Sequence, residues 1–247
     1  MNGDQKIQED QYEFPYHFIP EVDHGAIITN RFLQWSMVYM GYITMVRDEI
    51  LKIDAKSIID VGCGDGRVFY ELEKLDTSRK YHGIDVSDKA LKFANAFTEH
   101  SSFQNFDIIE KPYPEKFDLC AYIETIEHIP PDQIKSMIGN IAESLNKEGI
   151  LILTTPTTNL PTAKKHYQHF TKEKIQEYIG DHFEIKEVKY LNVEGMLAKT
   201  LARILVNKLF ITQSNFIRRL VFSTYKKYCL IGKENTGSRI YVKAVKR

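Results

Sequence analysis

The sequence predicts an α/β protein built on a doubly wound, mostly parallel sheet, and three observations carry that prediction. From Ser57 onward, short apolar runs alternate one at a time with helical segments: SIIDVG, YHGIDV, FDLCAYI, GILILTT and HFEIKEVKYL. Strands that are apolar throughout need cover on both faces, which single crossover helices between parallel strands supply. A glycine-rich turn, GCGDG, closes the first run. The length, 247 residues with no linker-like stretch, fits one large core.

Residues 1–28 are aromatic and broken by Pro15, Pro20 and Gly25, which predicts an extended arm carrying Tyr12, Phe14, Tyr16 and Phe18. Thr29 or Asn30 can cap a helix running to about Leu51. Its crowded apolar positions (Trp35, Val38, Tyr39, Tyr42, Ile43, Val46) indicate burial on more than one side, across a sheet or an active site. The expected division is an arm and cap helix over 1–55 and a main domain over 56–247. Further helices are expected over Arg67–Lys74, Lys89–Glu99, Asp132–Leu145 and Lys172–Ile179. SRIYVKAV alternates and predicts an edge strand, preceded by a helical insertion over about 196–235 with two or three helices.

Hydrophobic residues make up 43% and charged residues 27%, a mix that excludes disordered and fibrous classes. Cys63, Cys120 and Cys229 lie far apart without CxxC spacing, which argues against a disulfide framework or a thiolate zinc site. With a polar, acidic start where a secretory signal would be basic and then apolar, a reducing, cytoplasmic setting is expected. No stretch reaches the ~20 apolar residues of a membrane span. The zero net charge hides an asymmetry: from Met196 onward there are 12 Lys or Arg against one acid, Glu234. That quarter suits an anionic neighbour (a phosphorylated substrate, a nucleic acid or a lipid surface), or else presents the solvated faces of ordinary helices.

The glycines of IIDVGCGDGR fall at 62, 64 and 66, between a strand and a helix, where bare backbone can approach a ligand and helix N–H groups are free. A dinucleotide fingerprint would need its third glycine where Arg67 stands, which argues against nicotinamide or flavin. Asp85 ends the next strand, 23 residues after Gly62, where a carboxylate can accept both ribose hydroxyls. Asp107, in FQNFDII, can meet an adenine amino group with Phe106 and Ile108 against its face.

With these motifs the chain resembles the class I S-adenosylmethionine-dependent methyltransferases. DVGCGDG is similar to their first motif, IDVS to their ribose-binding acid, NFDII to their adenine-contacting acid, and FDLCAYIETIEHI to their fourth strand and catalytic turn. The resemblance covers about residues 56–190 and the last strand. It implies a Rossmann-like sheet of seven strands with the last antiparallel. It also implies S-adenosylmethionine bound around Asp60, Gly62, Gly64, Asp85, Val86, Phe106, Asp107 and Ile123.

Transfer from a sulfonium is an in-line displacement, so the enzyme mainly aligns the acceptor and eases its deprotonation. An aliphatic hydroxyl gains most from a His or Glu base, or from a metal polarising its oxygen. Glu124, Glu127 and His128 stand at i, i+3 and i+4 and would share a face if the turn is helical. His166 and His169 follow in KHYQHFT, after the fifth strand, where they could face the glutamates. ETIEH with QHFT is similar to the metal-holding residues of the small-RNA 3′-terminal 2′-O-methyltransferases. On that resemblance Glu124, Glu127, His128 and His169 would be catalytic and would hold Mg2+ or Mn2+. Ubiquinone-pathway O-methyltransferases have a related arrangement. The alternative is a metal-free structural turn, with Pro130 and Pro131 opening the next helix.

Three functions compete. The first is O-methylation of a small-molecule or sugar hydroxyl of a glycan pathway, with the aromatic arm closing over the acceptor. The second is RNA 2′-O-methylation, with the basic quarter holding phosphates. The third is a non-catalytic subunit, or a membrane-surface adaptor acting through the stripe Leu197, Leu201, Ile204, Leu205 and Leu209. The same stripe would serve a homodimer contact.

Overall fold

The computed structural model describes residues 21–23, 26–28, 33–207 and 209–247; the predicted aromatic contacts of the arm lie outside the described residues. The order begins with a small antiparallel pair, β1 (Glu21–Asp23) and β2 (Ala26–Ile28), and helix α1 (Leu33–Leu51). Then come β3 (Ser57–Val61), α2 (Arg67–Glu73), β4 (Lys80–Asp85), α3 (Asp88–Phe97), β5 (Ser101–Asn105) and β6 (Phe117–Ile123). A 3-10 turn (Ile126–His128) leads to α4 (Ile134–Glu143), β7 (Leu145–Pro156), α5 (Lys172–Ile179) and β8 (Phe183–Val193). The chain closes with α6 (Met196–Leu205), α7 (Asn215–Tyr228), β9 (Ile231–Gly232) and β10 (Gly237–Lys246).

The main sheet is ordered β5-β4-β3-β6-β7-β10-β8-β9. The first five strands pair in parallel, and β10 runs antiparallel to both β7 and β8. Two expectations are corrected here. Among the described residues the sheet has eight strands, because the end of the insertion adds β9 beside β8. The alternating last strand is internal, paired with β7 on one side and β8 on the other.

Adjacent strand residues enter opposite cores, as the two-residue period of a strand requires. Ile59, Cys120 and Tyr122 pack with Met137 and Ile141 of α4 and Ile175 of α5. Ile58, Leu119 and Ala121 pack on the other face with Tyr42 and Val46 of α1, Phe69 of α2, Leu201 of α6 and Tyr225 of α7. Hydroxyl caps start the helices where the sequence turns polar: Ser87 accepts from Ala90 N, Thr171 from Lys174 N and Ser214 from Ile217 N. Pro130 and Pro131 precede α4 by a short turn and do not open it. All three cysteines are free and buried. Among the described residues no helix is long and apolar enough to cross a membrane.

Candidate active site

The carboxyl ends of β3 and β4 lie side by side, where a doubly wound sheet opens on a ligand crevice, and they form one wall of it. Gly62, Gly64 and Gly66 take φ values of +71°, +54° and +74°, a backbone that side chains rarely adopt. Gly62 must also be bare because a Cβ there would overlap the Thr125 side chain. Thr125 thus brings the β6 turn against the glycine loop. Asp85 fixes this loop: its Oδ2 accepts from Gly64 N at 2.9 Å and its Oδ1 from Ser87 N at 2.9 Å.

Just before the loop, in β3, lies Asp60, 2% exposed, whose Oδ2 has no hydrogen-bond partner among the described residues. Burial, reinforced by the charges of Asp85 and Asp65, pushes its carboxyl up to about 8. A buried carboxyl oxygen without a partner beside a positive-φ glycine loop fits a cationic ligand group laid against the loop. Phe106 is half-buried against the adjoining core, Ile123 is buried at the end of β6, and Val86 is exposed just beyond Asp85. Asp107 lies two residues past β5, where its Oδ1 accepts from Ile109 N at 2.9 Å.

The opposite wall is the turn after β6. Glu124 leaves the strand with φ +52°, a strained value for a residue with a side chain. The structure separates it from the other members of ETIEH. Glu124 Oε1 accepts from Thr154 Oγ1 at 3.0 Å, and Oε2 pairs with Arg239 Nε at 2.8 Å. The Arg239 guanidinium in turn covers the Tyr42 ring of α1, 4.9 Å from its centroid. Glu127 is 1% exposed and its Oε2 accepts from Thr155 Oγ1 at 3.0 Å. Burial, with the charge of Glu124 adding to it, raises its carboxyl well above the usual range.

His128 donates from Nδ1 to Lys165 O across 3.0 Å, because a carbonyl can only accept. His169 likewise uses Nδ1 for Leu160 O at 3.1 Å, so its Nε2 receives the Nδ1–H of His166 at 2.8 Å. Burial holds His128 down at about 4 and His166 at about 3, with the Lys165 charge adding to both. Both rings are therefore neutral near pH 7, and both present a bare Nε2. One ligand atom each from Glu127, His128 and His166 lies within 4.8 Å of the others. Two imidazoles and a carboxylate on one side suit a divalent first-row metal with open positions.

The residues predicted to act together are thus divided. Glu127 and His128 meet His166, while Glu124 is committed to Arg239, and His169 has one nitrogen on the Leu160 carbonyl and the other on His166. The sequence reading missed Tyr42, Thr125, Thr154, Thr155 and Arg239. The paired threonines closing GILILTT carried a signal, two hydroxyl donors at the end of the strand beside the turn. Arg239, 115 positions from Glu124, carried none.

A family model described as a methyltransferase domain matches residues 52–200. The chain belongs to that family. This methyltransferase domain is 30% identical over 119 residues to the ubiquinone biosynthesis O-methyltransferase of Nitrosomonas europaea, covering 45% of this chain and 49% of that protein. It is 28% identical over 115 residues to the protein-lysine N-methyltransferase EFM4 of Saccharomyces cerevisiae, covering 40% and 50% respectively. The chain spans half or less of the length of these curated relatives. Its fold is similar to that of magnesium protoporphyrin IX methyltransferase from Synechocystis PCC 6803, solved with bound SAH: TM-score 0.56, 17% identity and 86% coverage of each chain. The relatives' names divide between oxygen and nitrogen acceptors, so the acceptor has to be argued from this site.

Proposed function

We propose that this methyltransferase domain uses S-adenosylmethionine to methylate a hydroxyl of a small molecule or sugar, assisted by a divalent metal such as Mn2+ or Mg2+. The observation that carries this reading is that Glu127, His128 and His166 each bring one ligand atom to within 4.8 Å of the others. An amine acceptor, already nucleophilic once neutral, has no need of such a set; a hydroxyl, which holds its proton tightly, does.

The cofactor supplies an activated methyl on a sulfonium. The chain's part is to hold it: Gly62 and Gly64 with bare backbone, Asp60 against its cationic amino group, Asp85 and Val86 at the ribose, and Phe106, Asp107 and Ile123 around the adenine. Glu127, His128 and His166 would hold the metal, which would polarise the acceptor oxygen. In that transfer the C–S bond would break as the C–O bond forms, and the hydroxyl proton, loosened by the metal, would pass to solvent. His169 keeps His166 in the tautomer with a bare Nε2, and Arg239 holds Glu124 in an ion pair. These are positioning roles.

The test combines binding and turnover. S-adenosylmethionine should bind in calorimetry, and Mn2+ should raise the thermal midpoint of wild type and of Glu124→Gln but not of His166→Ala. Turnover on a panel of small-molecule and sugar hydroxyls should vanish in EDTA and return with metal. Full turnover in chelator would remove the metal, and turnover confined to RNA 3′ ends would redirect the acceptor.

A further inference from the structure

The outer surface of the α6–α7 hairpin differs from the rest of the molecule in two ways that coincide. Among the described residues 16 large hydrophobic side chains are exposed, and 11 of them fall between Met196 and Ile231. Leu209 at 91% and Met196 at 86% exposure are extreme, and Phe216, Leu220 and Phe210 are more than half exposed. Their clustering is what separates a docking surface from scattered exposed apolar residues. The helices bury their inner stripe (Leu201 and Leu205 of α6, Val221 and Tyr225 of α7), so the outer apolar residues are surplus to the core.

The second feature is charge. From Gly195 to Lys233 the chain has eight Lys or Arg and no acid. Lys199, Arg203, Arg219, Lys226, Lys227 and Lys233 are exposed, and none forms an ion pair with a described residue. A second copy of this face would set one cationic surface against another. A nucleic acid would satisfy the charges but leave the Leu, Ile and Phe side chains in water. An anionic lipid surface satisfies both, with headgroups against the cations and acyl chains around the apolar tips.

We propose that this hairpin docks the protein on an anionic lipid bilayer, with Leu209 and Phe210 of the inter-helix loop entering the headgroup boundary. The hairpin leaves β8 at the edge where Val193 pairs with Gly237 and Arg239 pairs with Pro156, the carboxyl edge of β7 that also carries the Glu124–Glu127 cleft. Resting on the functional reading above, docking there would bring the cleft to acceptors held in the lipid. The surface itself is argued without that reading.

The test is co-sedimentation of the full chain with phosphatidylcholine vesicles, alone or with added phosphatidylglycerol, which needs no catalytic activity. Binding is expected only with the anionic lipid and should weaken as salt rises. Leu209→Glu with Phe210→Glu, and separately Lys226→Glu with Lys227→Glu, should each lower partitioning at least tenfold without moving the thermal midpoint. Lys56→Glu, just before the amino end of β3 and exposed, should change nothing. Equal binding to neutral vesicles, no binding, a matching loss in Lys56→Glu, or a dimer dissolved by Leu209→Glu would each overturn the proposal. The wild-type lipid and salt dependence decides the matter even if a variant misfolds.

Discussion

The two walls of the crevice are built in opposite ways. The glycine-loop wall comes from one continuous stretch, Asp60 to Asp85, and leaves a buried carboxyl oxygen without a partner among the described residues. The facing wall draws on α1, β6, β7, the loop before α5 and β10, from Tyr42 to Arg239, and its carboxylates already have partners inside the protein. A group that awaits its partner contributes to ligand binding and little to folding. A group already paired contributes to folding, and removing one member leaves the other stranded.

The largest effect expected from this contrast is on stability. Arg239→Ala would strand Glu124, whose side chain is 19% exposed, and should cost about 3 kcal/mol, the lower end for a broken buried pair. In a chain of this size that lowers the thermal midpoint by about 6–12 °C in a melting scan. If the midpoint barely moves, the facing wall is not held by its own pairing.

On the glycine side, Asp85→Ala removes the acceptor of two backbone N–H groups and the proposed ribose contact. S-adenosylmethionine affinity in calorimetry should fall about 100-fold, the effect of losing one or two hydrogen bonds to a charged group. The melting midpoint should change much less than in Arg239→Ala. A smaller effect sharpens the role of the histidine chain: His169→Ala should weaken Mn2+ binding about tenfold, as loss of a residue orienting a ligand does, while His166→Ala abolishes it.

A separate effect, read as a slope and not as a single loss, concerns pH. Folding raises the Asp60 carboxyl from the ordinary range to about 8, so the folded chain holds its proton more tightly than the unfolded chain does. Stability from this group therefore falls as pH rises from about 4 to 8 and is level above that. Asp60→Asn should remove that slope in denaturant titrations at several pH values. A cationic ligand favours the ionised form, so binding near pH 7 should release up to one proton, read from the dependence of binding heat on buffer ionisation enthalpy.

Much of the glycine wall was legible because its information is local. Gly62, Gly64 and Asp85 are fixed by the strand-turn-helix they belong to, and a parallel sheet then places the ends of β3 and β4 side by side. The run ETIEH was equally visible as a charged turn, but its spacing could not show that Glu124 pairs with Arg239 while Glu127 meets His128 and His166. Helical spacing would set Glu124 beside Glu127, whereas the backbone at Glu124 is left-handed and the helical turn starts only at Ile126. Likewise His166 and His169 could not be ranked by spacing, since their roles depend on the Leu160 carbonyl between β7 and α5.

The sequence by itself determined the alternating layers, the glycine loop with its acids, and the presence of a charged turn after β6, because each follows from periodicity or backbone freedom within a short window. Only the tertiary structure decided that β10 lies inside the sheet and carries Arg239 to Glu124, leaving Glu127, His128 and His166 as the converging set. Those choices depend on which strand packs beside β7, and that is fixed by burial of the whole sheet between its two helical layers, a property no local stretch contains.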